Sequence, residues 1–442
     1  MSHLKGTVDR FKRHQNILGA LGSGYGLMAL TITIQLVLVP LYLHHLGKEA
    51  FGILIIILAV INYGAIGITW LSGGMARILG ERGAVGDTAG LVDAYAFSKL
   101  VYIGYAAITI TVFWVVSPWI MADALKNPEL LQTLILASLY FLVMYEYNTD
   151  RLSFIALSRQ ATGNAIDAIG QIVFACGVAA GLYWGGGMTS VVASQIVGVL
   201  VARSLAWLYW RREGLALRWK WPLTDSGSMW QRISGKMGRH YVIYGVLLLT
   251  LQADVLIIGW LAGPAVAAAY YLLWRVPEVC ILLLGRIPGV FAPYLIQMDT
   301  RGEVERIQSN YNKGLRIMLG LSALAGLGYA IAGNALVHLW IGDNAPDGYL
   351  PYMLAGLALF FIAASLWPSG VAYALVKTGP LVKVTALQLA AKLVIFSFLF
   401  NSVDYLAPLV AIILTHVLGI FFLYLKIGNE ACKAPKIIVA QN

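Results

Sequence analysis

The chain has 442 residues, of which 59% are apolar and only 12% charged, and its mean hydropathy is +0.76. A soluble domain carries about twice that charged fraction, so the composition excludes a water-soluble fold. The net charge of +10 does not indicate a nucleic-acid partner, because the basic residues collect in alternate loops, which is a topology signal.

Residues 1–16 form a polar cap with Lys5, Arg10, Lys12 and Arg13. The first apolar run, about 17–42, is too long for the core of a signal peptide and lacks a cleavage site, so it is expected to stay as a membrane helix. Runs of about 18–25 residues, the length that crosses ~30 Å of hydrocarbon, then recur. Their bounds are about 51–71, 97–121, 130–155, 163–184, 188–210, 241–261, 265–294, 314–340, 350–376, 380–400 and 405–425. A β-barrel is excluded, since its strands would alternate every second residue over only about 10 residues. The eighth span holds Pro277 and Pro288, where kinks are expected. Twelve spans place 26 of the 31 Lys and Arg residues on the side of the N-terminus, and only Lys48 and Lys126 in the opposite loops. Both termini are therefore expected in the cytoplasm.

The outward loops are short, the longest being about 341–349. Among the inward loops, residues 211–240 are basic and carry Trp219, Trp221 and Trp230, which reads as a linker lying on the inner membrane surface. An internal repeat is visible. The stretch Leu46-Gly47-Lys48-Glu49-Ala50-Phe51-Gly52 lies over Ala262-Gly263-Pro264-Ala265-Val266-Ala267-Ala268. The expected fold class is an all-α integral membrane protein with about 12 transmembrane helices in two six-helix bundles. These are residues 1–210 and residues 241–442, the second with a short cytoplasmic tail, joined by the linker 211–240 and related as parallel repeats.

Charges inside spans are costly and are candidate functional residues. Asp254 lies about eight residues before the Ala262-Gly263-Pro264 turn and Arg275 about eleven after Pro264, so roughly 12 Å and 16 Å deep at 1.5 Å per residue. Similar depth on adjacent antiparallel helices permits an Asp254–Arg275 pair. Arg275, Glu278, Leu282 and Arg286 fall on one helical face, and Arg286 is deep enough along the span to snorkel to the inner interface. Lys392, flanked by Leu389, Ala390, Leu393 and Val394, calls for a water-filled cavity or an acidic partner. Arg203 and the group Glu146, Asp150 and Arg151 lie nearer the inner boundary, where interfacial pairing is the plainer reading. Arg275, Lys392, Asp254, Glu278, Arg286, Arg151 and Arg203 together form the candidate substrate or ion pathway. Its cytoplasmic half leans cationic, which favours an anionic substrate such as a lipid-linked pyrophosphate. Tyr270, Tyr271, Trp260 and Trp274 are placed either to stack on sugars or simply to pack.

No nucleophile triad, metal spacing or nucleotide loop appears. Cys176, Cys280 and Cys432 give no disulfide framework, and the Gly22-Ser23-Gly24-Tyr25-Gly26 run lacks the strand and the Lys-Ser/Thr that a phosphate loop needs. No enzyme activity, cofactor or metal is expected.

Several segments carry a family likeness. They are Pro40 to Gly52 in the first hairpin, Asp254-Val-Leu-Ile-Ile-Gly259, Tyr270-Tyr-Leu-Leu-Trp-Arg275, Phe291-Ala-Pro-Tyr294, and Arg301-Gly-Glu303. Through them the chain resembles the Wzx-type polysaccharide transporter (flippase) branch of the multidrug/oligosaccharidyl-lipid/polysaccharide exporter superfamily. The resemblance implies a V-shaped pair of bundles in a bacterial inner membrane. It also implies flipping of undecaprenyl-pyrophosphate-linked oligosaccharide by alternating access, H⁺ or Na⁺ as coupling ion, and a polysaccharide polymerase and other assembly proteins as partners. Asp254 and Arg275 match family-typical positions. The uncharged first span and the absence of spans after Lys426 depart from the related lipid II flippases.

Two other classes compete. A multidrug/cation antiporter of the same fold would want an acidic cavity. A membrane enzyme acting outside would need a large outward loop with catalytic groups, and the sequence offers none.

Overall fold

In hydrocarbon every backbone N–H and C=O must be satisfied within the chain, which leaves a polytopic sequence of this length with helices. The computed structural model describes residues 2–64, 66–120, 126–215, 217–221, 223, 226–231, 253–375 and 378–433. Among these the regular elements are all helical. The chain divides into two compact units, Met1–Gly238 and Arg239–Asn442.

The first unit contains α1 (Ser2–Gly64), α2 (Ile66–Ala84), α3 (Thr88–Ile120), α4 (Pro128–Ala156), α5 (Gln160–Tyr183) and α6 (Gly187–Arg212). The second contains α7 (Ala253–Ala262), α8 (Pro264–Leu284), α9 (Arg286–Thr300), α10 (Val304–Ile341), α11 (Leu350–Ala374), α12 (Thr378–Val403), α13 (Ala407–Thr415) and α14 (Phe421–Lys433). Nine described helical stretches are long and apolar enough to cross a membrane. Two of them, Gly22–Ile61 with 40 residues and Gly379–Lys433 with 55, are interrupted well inside by residues at positive φ, Gly47 in the first and Asp404 and Gly419 in the second, so each is read as two crossings of about 20 residues. Of the expected seventh span, residues 241–252 lie outside the described residues.

α1 is not one straight rod. Gly47 has φ 77° and ψ 170°, a conformation that glycine adopts readily because it has no Cβ. On either side of it, the Tyr42 and Phe51 rings stack with centroids 6.0 Å apart. A straight helix would separate those residues by about 13 Å along its axis, so the chain reverses at Gly47. Gly263, between α7 and α8, adopts φ 90° and ψ 170°, with Pro264 opening the next helix as a proline at the first helical position does. The two glycines that the sequence repeat superposes therefore share a backbone conformation.

The eighth predicted span is broken in two. α8 ends at Leu284 and α9 begins at Arg286. Pro288 has no N–H for the Leu284 carbonyl, and the helix breaks one turn before that proline. Pro277 is accommodated inside α8.

Within each unit one pair of helices approaches through glycines. A Cβ on Gly198 of α6 would sit 2.6 Å from the Gly170 carbonyl of α5, and one on Gly326 of α10 would sit 2.6 Å from the Gly356 carbonyl of α11. Small residues at such crossings allow the backbones to touch, which is how helices gain packing where water does not drive them together. α11 is the centre of the second unit and packs against α8, α9, α10, α13 and α14. Toward its C-terminal end Trp367 Nε1 donates to the Tyr311 carbonyl at 3.0 Å, and the Tyr311 hydroxyl donates to the Leu425 carbonyl at 3.1 Å, which ties α10, α11 and α14 together. Gly314 has no side chain because the Trp367 ring fills that space.

The described part of the segment after α6 packs on the first unit. Leu217 and Met229 are buried, and Lys220 Nζ lies 2.6 Å from Asp93 Oδ1.

Candidate functional site

In the second unit, α7 brings Asp254 against α8 and α12. Lys392 Nζ of α12 lies 2.7 Å from Asp254 Oδ1 and 2.8 Å from Oδ2. The directed hydrogen bond goes to Oδ2, which also accepts from the Tyr270 hydroxyl at 2.7 Å, while Oδ1 is held by charge alone. Both side chains of the ion pair are 1% exposed. Lys392 thus has the acidic partner that its depth called for.

The expected Asp254–Arg275 pair does not form. Arg275 Nη1 donates to Glu278 Oε2 at 2.6 Å within α8, and the guanidinium stands 5.6 Å over the Tyr271 ring. Depth permitted the expected pair, but the rotation of α7 turns Asp254 toward Tyr270 and α12. Arg275 is 8% exposed at its side chain and Glu278 29%, so the carboxylate end of this pair reaches open space. Arg286 starts α9, beyond the break, and is exposed.

His416 is buried on the π-helical turn His416–Ile420 between α13 and α14. Its Nδ1 lies 2.8 Å from the Ile412 carbonyl oxygen, its ring stacks on Phe361 at 5.7 Å, and Nε2 has no partner among the described residues. In α12, Gln388 accepts from the Tyr424 hydroxyl at 2.7 Å.

The first unit has its own charge network. Glu146 and Asp150, one turn apart on α4, share a face. Lys99 of α3 hydrogen-bonds to Glu146 and lies 3.5 Å from Asp150 Oδ2, while the Tyr95 hydroxyl donates to Asp150 Oδ1 at 2.6 Å. Arg203 of α6 approaches Glu146 Oε2 at 2.6 Å. Two cations thus match two carboxylates. Arg151 leaves this group and pairs with Asp167 of α5 at 2.8 Å, and Tyr147 donates to the same carboxylate at 2.7 Å. Arg203 and Arg151 are half exposed. Within each unit the predicted residues fall into ion pairs. Asp254 joins Lys392, Arg275 joins Glu278, Arg203 joins Glu146, Arg151 joins Asp167, and Arg286 stands apart from these pairs.

The sequence profile of the polysaccharide biosynthesis protein family matches residues 45–345. The chain belongs to that family. The uncharacterized membrane protein EpsK of Bacillus subtilis (strain 168) is 24% identical over 361 residues, covering 75% of this chain and 68% of its own. Among solved structures, an inward-facing multidrug resistance MATE family transporter of the MOP superfamily is similar with a TM-score of 0.66 and 12% identity, covering 92% of this chain and 95% of its own. The lipid II flippase MurJ in an inward closed conformation is similar with a TM-score of 0.63 and 10% identity, covering 94% and 90%. This member of the polysaccharide biosynthesis protein family is an all-α, multi-pass membrane protein with the MATE-like transporter fold.

Besides the pairs' partners Asp167, Tyr95 and Tyr147, three residues have parts that the sequence by itself does not assign: Lys99, Tyr270 and His416. Lys99 stands near the start of a predicted span, and the two acids one turn apart on α4 require a buried cation of this kind. Tyr270 was weighed for stacking rather than as a donor to Asp254. His416 was a visible signal left unused, an ionisable residue well inside the last span. Among the described residues no group of three His, Cys, Asp or Glu side chains is placed to hold a metal ion.

Proposed function

We propose that this protein flips a lipid-linked oligosaccharide, carried on an undecaprenyl-pyrophosphate-like anchor, across a bacterial inner membrane by alternating access coupled to an ion gradient. The observation that carries the reading is the membership of a polysaccharide biosynthesis family by a chain with a transporter fold. The Arg275–Glu278 pair gives it a residue-level form. A guanidinium held by a partly open carboxylate is a displaceable pair, and a pyrophosphate competes for it with bidentate geometry that a lysine would lack.

Asp254 has a different part. Its carboxylate is already matched by the Lys392 ammonium and the Tyr270 hydroxyl, so a bound Na⁺ would have to displace an internal cation. A proton needs only to neutralise the carboxylate and free Lys392, and we therefore favour H⁺ as the coupling ion.

The test is transport of a prenyl-pyrophosphate oligosaccharide by the purified chain in proteoliposomes, together with surface polysaccharide in cells. Arg275→Ala is expected to lower both at least tenfold while the protein reaches the membrane at its normal level. Wild-type polysaccharide in that variant would remove Arg275 from the pathway. Resistance to cationic drugs on overexpression, with normal polysaccharide in a knockout, would favour the multidrug antiporter instead.

A further inference from the structure

We propose that the first unit holds the phosphate of a membrane lipid in a cleft at the C-terminal end of α6, beside the Lys99–Asp150–Tyr95 group. The cleft has a volume of ≈ 220 Å³ and is lined by Tyr95, Asp150, Trp207, Trp210, Arg211 and Arg218, with Leu215 and Leu217. Pockets for whole drug-sized ligands begin near 300 Å³, so this one suits a headgroup and not a glycan.

Its polar groups favour an anionic acceptor. Trp210 is 3% exposed, and its indole N–H is buried without a hydrogen-bond partner among the described residues. An indole N–H can only donate, so the group that satisfies it must accept. Arg211 and Arg218 are exposed at the cleft and have no carboxylate partner among the described residues. Arg211 is held 5.3 Å over the Trp207 ring, where the aromatic face orients the guanidinium. The single acid in the lining, Asp150, is engaged by Lys99 and the Tyr95 hydroxyl, so its charge is offset and the two arginines set the sign. Arginine forks match phosphate oxygens in pairs.

The surroundings indicate a lipid as the source of the phosphate. Trp207, Trp219 and Trp221 are exposed by 52%, 49% and 77%, at the helix end that the basic loops assign to the cytoplasmic side. Exposed indoles beside arginines are the usual furniture of the headgroup layer, where anionic lipids attract cationic segments. A second groove, lined by Arg301, Arg306 and Lys313 of the other unit, is a weaker candidate because Glu303 already lies 2.9 Å from Arg306 and 3.8 Å from Arg301.

The experiment is native mass spectrometry of the full chain released from phosphatidylcholine nanodiscs after titration with phosphatidylglycerol, with a short prenyl pyrophosphate, or with inorganic phosphate. One bound phosphatidylglycerol or prenyl pyrophosphate is expected per chain. Its occupancy should fall at least fivefold in Arg211→Gln/Arg218→Gln, a fold-neutral change of exposed residues, and about threefold in Trp210→Phe. The same charge removed at Lys426→Gln/Lys433→Gln should leave it unchanged. Which of the two lipids binds more tightly identifies the source as bulk lipid or carrier. Equal occupancy in wild type and the arginine double variant, or an equal loss in the Lys426/Lys433 variant, would overturn the site. Binding of inorganic phosphate without either lipid would overturn the lipid assignment.

Discussion

Lys392 and Asp254 illustrate what a charge inside an apolar helix requires. Each is 1% exposed, and each would be an uncompensated ion without the other. Removing one partner of a buried pair typically costs about 3–5 kcal/mol, whereas replacing both by neutral groups is close to neutral. Lys392→Met is therefore expected to lower the unfolding midpoint of the purified chain sharply, and Asp254→Asn/Lys392→Met to recover most of that loss. A double variant no more stable than Lys392→Met would show that the pair is not the unit that matters. At this scale the sequence revealed which residues are charged and how deep they lie, because depth follows from counting 1.5 Å per residue. It did not reveal partners. Asp254 and Arg275 share a depth, but α7 is turned so that Asp254 meets Lys392, which lies 138 positions away along the chain. Rotation about the helix axis is decided by packing against neighbours.

Among the elements, the glycines separate conformation from packing. Gly356 of α11 faces the Gly326 carbonyl and Ala330, leaving no room for a Cβ, whereas a Cβ on Gly320 in α10 would meet nothing within 4 Å. Gly356→Ala is expected to push α10 and α11 apart at a cost of about 1–3 kcal/mol, the usual range for overpacking. Gly320→Ala is expected to be neutral or stabilising by up to ~1 kcal/mol through helix propensity. Thermal unfolding of the two variants side by side checks this, and similar midpoints would refute the crossing. A cap outside the membrane gives a pH-dependent counterpart. Asp87 precedes α3, and its carboxyl is held below the usual carboxylate range, first by the Gly90 backbone N–H at 2.8 Å and also by Arg82 at 2.9 Å. A depressed folded-state pKa contributes stability above the unfolded pKa and loses it as pH falls through the folded one. The deficit of Asp87→Ala relative to wild type should therefore be present at pH 7 and shrink below about pH 4. A deficit independent of pH would contradict the ionised cap. The glycine turn at Gly47 and the break before Pro288 were legible from residue type alone, because both follow from local backbone chemistry. The Gly326–Gly356 crossing was not, since a glycine's neighbour on another helix leaves no trace in its own segment.

For the whole molecule, the asymmetry of basic residues makes a prediction about sidedness. In a variant lacking its native cysteines, Lys48→Cys is expected to react with a membrane-impermeant thiol reagent in intact cells, and Glu213→Cys only after the membrane is opened. The opposite pattern would invert the topology and move the Trp210 cleft to the outer face. What the sequence alone determined is the solvent and the class of fold. Long apolar runs force helices because hydrocarbon offers no hydrogen-bond partner to the backbone, and the repeated glycine hairpin supplies a turn of the same backbone conformation at Gly47 and Gly263. What only the tertiary structure decided is which charges meet. The Lys99–Glu146–Arg203 network, the Asp254–Lys392–Tyr270 group and the Arg275–Glu278 pair each depend on where a side chain points around its helix axis, and that angle is set by the helices packed against it.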